Sequence, residues 1–111
     1  MELSITSHES GDRTIVAVSG EVDVYTASAL RTKLADLIDA DHTDLVVDLT
    51  RVRFLDSTGL GVLVGALKKV RGRSGRLQLV IDQDKVMKVF QITALTEVFT
   101  IFPTLDAALD R

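Results

Sequence analysis

Leu45-Val46-Val47 runs without polar interruption, and beyond a short polar stretch Leu60, Leu63, Val64, Leu67 and Val70 recur at helical spacing. The first pattern is a buried strand. The second is the inward stripe of a helix, broadened by Val62 and Ala66. A buried strand feeding straight into an amphipathic helix requires helices laid against a sheet. At the junction, Asp56-Ser57-Thr58 stands where the helix must begin. Hydroxyl side chains accept hydrogen bonds from the free N–H groups of a first turn, so Ser57 is read as the N-cap of a helix from Thr58 to Val70 or Arg71. The positive end of a helix is also a natural seat for a phosphate.

The rest of the chain repeats this logic. Leu3-Ser4-Ile5-Thr6 alternates as a half-buried strand, and Glu9-Ser10-Gly11-Asp12 turns it into a second strand at Thr14 to Val18, giving an antiparallel hairpin. Thr26 is expected to cap a helix from Ala27 to Ile38, with Leu30, Leu34, Leu37 and Ile38 inward. The third strand is Leu45 to Leu49, and strand–helix–strand order implies a parallel pair with a right-handed crossover. Gly72 ends the second helix. Leu77 to Ile81 is a fourth strand, and Asp82 is expected to cap a third helix from Lys85 to Gln91. Phe99 to Phe102 reads as a short fifth strand, and Thr104 opens a last helix, Leu105 to Leu109. The predicted fold is a single α/β domain over residues 1–111, of order ββαβαβαβα: a mixed sheet with an N-terminal antiparallel hairpin and packed helices.

Composition closes several doors. With no cysteine among 111 residues, disulfides, thiolate zinc sites and cysteine nucleophiles are excluded. A net charge of −3, no tryptophan and few aromatics argue against nucleic-acid binding. No apolar run is long enough for a membrane span, and Met1-Glu2-Leu3-Ser4 lacks the basic start of a signal peptide, so a cytoplasmic protein is expected. His8 and His42 stand apart and read as solvated side chains. The glycines of Gly59-Leu60-Gly61 match neither a dinucleotide fingerprint, which would need glycine at Val64, nor a Walker loop. Leu55 stands where a nucleophile elbow requires glycine. No enzyme site, metal or cofactor is expected. Lys68, Lys69, Arg71, Arg73 and Arg76 read as solvated charges at a helix end rather than as a phosphate patch.

Gly61 and Gly65 fall on the helix side away from the apolar stripe. Each costs roughly 1 kcal/mol relative to alanine, so either tight packing inside the fold or close approach of another protein's backbone must explain them.

The string Phe54-Leu55-Asp56-Ser57-Thr58-Gly59-Leu60-Gly61-Val62-Leu63 resembles the signature of the STAS domain, specifically of the bacterial anti-sigma factor antagonists. Gly20-Glu21-Val22-Asp23 is similar to that family's Gly-Glu-aliphatic-Asp turn, and Val47-Asp48-Leu49 to the strand before the signature. Chain length and element order agree over essentially the whole sequence.

The resemblance implies a partner switch. Ser57 corresponds to the serine phosphorylated by an anti-sigma factor that is itself a serine kinase. The unphosphorylated antagonist binds that kinase and frees its sigma factor; phosphorylation breaks the complex, and a serine phosphatase restores it. Asp23 matches a family acid in the loop beside the serine, and Thr58 a position that varies between serine and threonine. Asp23, Asp56, Ser57, Thr58, Gly59, Gly61 and Gly65 form the expected partner-binding set. A non-switching STAS module of a stress-signalling or lipid-transport assembly is the alternative, and a small enzyme or nucleotide binder a more distant one.

Overall fold

The computed structural model describes residues 2–110. Five strands form one sheet in the order β1-β2-β3-β4-β5, with β1 (Leu3–Ser10) antiparallel to β2 (Arg13–Val22). The strands β3 (Asp44–Leu55), β4 (Arg76–Val80) and β5 (Thr100–Phe102) follow parallel to β2. Helices α1 (Ala27–Asp39), α2 (Ser57–Arg71), α3 (Asp84–Ile92) and α4 (Leu105–Leu109) complete the expected order, with a 3-10 turn at Leu95–Glu97 before β5.

Side chains alternate across a strand, so each strand divides its residues between two layers. Val16 and Val18 of β2, Leu45, Val47 and Leu49 of β3, and Leu77 and Leu79 of β4 meet the buried stripes of α1, α2 and α3 in the main core. On the other face Ile15, Val46 and Val80 pack against Ala108, with Phe102, Leu105 and Leu109 around them. This second layer explains why Leu45-Val46-Val47 is apolar without alternation: both faces are covered there. At β1 only one face is covered. Leu3 and Ile5 pack on the core while Ser4 and Thr6 are exposed.

Arg13 ties the second layer together. Its guanidinium donates to Asp44 Oδ1 at 3.1 Å, to the Ala108 carbonyl at 2.6 Å and to Gln78 Oε1. Arg13 and Gln78 are both buried, so the sheet carries its own attachment point for the C-terminal helix.

Three strand ends differ from the sequence expectation. β1 and β2 are each longer than read, and β3 continues from Leu49 to Leu55. The strict period of two is lost because the pairing slips: Ala17 faces Asp48 but Ser19 faces Arg51, and Gly20 faces Val52 but Glu21 faces Phe54. Each slip inserts a residue into β3 as a bulge, which hides the strand from a search for alternation. The β4 pairing stops at Asp48, so the Leu49 and Val52 carbonyls need another donor. Gln83 supplies it, through Nε2 at 3.0 Å and 2.6 Å. Gln83, not Asp82, therefore holds the N-cap position of α3, and its side chain bonds β3 rather than its own helix. Thr26 likewise precedes α1 without capping it through its side chain, whereas Thr104 does cap α4, accepting from Ala107 N at 3.1 Å.

Replacing Arg13 by methionine leaves the Ala108 carbonyl and the Gln78 amide without that donor in a buried layer. A loss of about 2–4 kcal/mol is expected in urea denaturation, with amide exchange in α4 accelerated most.

Candidate functional site

The carboxyl ends of β2 and β3 deliver two loops side by side, residues 23–26 before α1 and Asp56 before α2. They are joined through the backbone by Asp56 N donating to Val22 O at 3.2 Å. They are also joined through packing at Gly59, which is buried. A Cβ there would stand 2.7 Å from Val22 Cγ1 and nearer still to Leu55 Cδ1. Gly59 thus lets α2 seat directly on the ends of both strands. It does not face outward as a partner contact, and the sequence expectation is corrected on this point.

The cap of α2 is also corrected. Asp56, in extended conformation, is the N-cap; its Oδ1 accepts from Thr58 N at 2.9 Å and Gly59 N at 3.2 Å. Ser57 is the first helical residue. Its hydroxyl has no hydrogen-bond partner among the described residues, and the side chain is exposed. Aspartate and serine serve equally well as caps, so adjacent candidates are separated only by backbone geometry. With Asp56 satisfying the helix end, Ser57 is left without a structural task. Thr58 is half-buried beside it.

Asp23 is close to Ser57 in the fold, one residue beyond Val22, but its carboxylate turns inward and the residue is only 4% exposed. Oδ1 accepts from Tyr25 N at 2.9 Å and Thr26 N at 3.0 Å. Thr26 Oγ1 accepts from Asp23 N at 2.9 Å and donates to the Glu21 carbonyl at 2.7 Å. Asp23 Oδ2 is buried and has no hydrogen-bond partner among the described residues. Asp23 therefore organises the loop rather than displaying charge to a partner. The side chains displayed are Val24, 65% exposed, and Tyr25, 84% exposed. Neither belongs to the expected partner-binding set. The available signal was an aromatic residue in a short segment between a strand and a helix, where no core position was on offer.

Gly61 and Gly65 are exposed, and a Cβ at either would meet nothing within 4 Å. Packing inside the fold therefore does not require them. They border a groove of about 280 Å³ between α1 and α2, which also involves Arg31, Leu34, Ala35 and Lys69. The basic residues in the last turn of this helix and beyond it are mostly engaged within the fold. Lys69 pairs with Asp39 at 3.0 Å, Arg73 donates to the Ile38 carbonyl at 2.9 Å and pairs with Asp41, and Arg76 bonds Asp44 at 2.9 Å. His42 is half-buried rather than solvated, its Nδ1 3.2 Å from Thr14 Oγ1. Among the described residues, no three His, Asp or Glu side chains converge as metal ligands would, and no helix is long and apolar enough to cross a membrane.

Residues 4–108 match the STAS domain model, and the chain belongs to the STAS domain family. It is 38% identical over 102 residues to the anti-sigma-B factor antagonist of Listeria monocytogenes, covering 91% of this chain and 90% of that one. Among solved structures, an anti-sigma factor antagonist from Mycobacterium paratuberculosis superposes with a TM-score of 0.92 at 30% identity, over 98% of this chain and 92% of that chain. The Bacillus protein SpoIIAA shares the fold at 24% identity. Its unphosphorylated form gives a TM-score of 0.82 over 97% of this chain and 95% of that chain, and its phosphorylated form 0.75 over 97% and 98%.

Two predictions separate these roles. Asp56→Ala should cost about 1 kcal/mol in thermal or urea unfolding, while Ser57→Ala changes stability by less than about 0.5 kcal/mol. Gly61→Ala and Gly65→Ala should each stabilise the domain, by up to about 1 kcal/mol, since the new methyl enters open space.

Proposed function

We propose that this chain is an anti-sigma factor antagonist that works as a partner switch at Ser57. In its unphosphorylated form it binds an anti-sigma factor serine kinase and so releases the sigma factor. Phosphate on Ser57 ends that complex, and a serine phosphatase resets it. The reading rests above all on one observation: Ser57 presents an exposed hydroxyl with no hydrogen-bond partner among the described residues, at the start of a helix capped by its neighbour. The names of the Listeria and Mycobacterium relatives support the antagonist part of this reading.

The physical chemistry of a phosphate at this point is two-sided. It adds about −1.5 to −2 charge and three acceptor oxygens. At the first position of α2 that charge sits at the positive end of the helix dipole, so the fold tolerates it. Asp56 already spends one carboxylate oxygen on the same helix end, and the added charge lies beside it. A partner surface shaped to a neutral hydroxyl would have to desolvate an unpaired dianion, at a cost of several kcal/mol. Since about 1.4 kcal/mol is tenfold in affinity, a tight complex becomes negligible. Gly61 and Gly65 fit the same surface: a helix face without side chains admits a partner backbone closely, which accounts for their cost in helix propensity.

The test is to incubate the protein with the anti-sigma factor kinases of its genome and ATP, and to locate phosphate by mass spectrometry. Phosphate on Ser57 is expected; phosphate on Thr58 alone, or on neither residue with every kinase, overturns the assignment. Ser57→Ala should bind the kinase whether or not ATP is supplied. Ser57→Glu should fold normally and bind at least a hundredfold more weakly; equal binding would mark a module that does not switch.

A further inference from the structure

Val24 and Tyr25 are the most exposed apolar pair in contiguous sequence among the described residues, and their loop is tied at Val22 to Asp56, the residue before Ser57. Single exposed apolar side chains are common and call for no explanation. Three features set this pair apart. First, the loop that carries it is held in one shape. Asp23 Oδ1 binds the N–H groups of Tyr25 and Thr26, and Thr26 Oγ1 bridges Asp23 N and the Glu21 carbonyl. The hydrogen bonds reach the backbone of residue 25 itself, yet its ring is left 84% exposed. Second, the loop is fused to the start of α2 by the Asp56 N to Val22 O bond and by the seating of Gly59 on Val22. The segments that carry the pair and Ser57 are therefore tied to each other at Val22. Third, aromatic side chains on preorganised backbone lose little freedom on binding, and tyrosine is enriched where interfaces are strongest.

We infer that Val24 and Tyr25 form the apolar anchor of the surface that docks the anti-sigma factor, with Ser57 as the adjacent gate; the inference rests on the partner-switch reading above. The partner that fits is a protein with an apolar recess sized for a tyrosine ring, flanked by a close, flat contact against Ser57, Gly61 and Gly65. In this arrangement the buried Asp23 is a positioning residue that fixes where Tyr25 points. The division of labour is physical. An apolar anchor provides affinity that does not depend on charge, and the serine hydroxyl beside it is where a phosphate can cancel that affinity.

The sequence provides its own probe, because Tyr25 is the only tyrosine and there is no tryptophan. Nitration with tetranitromethane therefore reports on Tyr25 alone within this chain. With the purified anti-sigma factor that binds the wild-type protein, Tyr25 nitration should be slowed at least tenfold in the complex. It should run at the free rate when Ser57→Glu replaces the wild type at the same concentrations. Tyr25→Ala should weaken binding at least thirtyfold and Val24→Ser about tenfold, without loss of thermal stability, since both side chains are solvent-facing. Ile92→Ser, equally exposed at 77% but at the far end of α3, should bind as wild type does. Binding of Tyr25→Ala within twofold of wild type, or undiminished nitration in the saturated complex, overturns the inference and leaves the partner-switch reading intact. Failure of the wild-type protein to bind any anti-sigma factor of its genome overturns that reading, and the inference with it.

Discussion

The contact on which the rest of this structure depends is the closure of Val22, Leu55 and Gly59 at the carboxyl ends of β2 and β3. Two neighbouring parallel strands each end in a loop and a helix, and the two loops can be held in register only if something joins them. The absence of a side chain at Gly59 lets the first turn of α2 sit on Val22 and Leu55, and the Asp56 N–H closes the gap to the Val22 carbonyl. What is exposed at this edge, namely Ser57, Val24 and Tyr25, is carried on the segments that this closure joins.

The two acids near Ser57 are put to different uses, and neither is a free surface charge. Asp56 caps α2 and Asp23 shapes the loop before α1. Each satisfies backbone donors that would otherwise be open at a helix start. This leaves the serine hydroxyl without a structural partner at a helix end whose first free N–H groups are already bonded by Asp56. A modification at such a group changes what the surface presents while leaving the supporting bonds in place. That is the property the switch proposed at Ser57 requires.

The glycines illustrate how the same residue type serves opposite ends within a single helix. Gly59 is required by the interior. Gly61 and Gly65 are not; they border an open groove beside α1 and leave the helix face flat. Periodicity placed all three on α2 and placed Gly61 and Gly65 away from the apolar stripe. It did not separate a glycine facing the core from one facing solvent at the first turn, because the stripe is least defined where the helix begins.

The order of strands and helices, the apolar stripes of α1 and α2, the double-sided burial of β3 and the family itself were legible in the residues. These follow from local periodicity and from a signature of adjacent residues, both of which survive without knowledge of neighbours. The bulged extension of β3, the use of Gln83 against it, the choice of Asp56 over Ser57 as cap, the inward turn of Asp23 and the exposure of Tyr25 were decided by the tertiary structure. Each depends on a partner distant in sequence, or on the backbone angles at one residue: an unpaired carbonyl left by a short β4, an extended Asp56, a strand end against which a loop must close. Sequence by itself determined that a serine would stand at the start of α2. Only the packing of β2 against β3 left that serine exposed and relieved of the capping role, because the groups that satisfy the helix end come from Asp56 and the contacts that tie the neighbouring loop to it come from Val22.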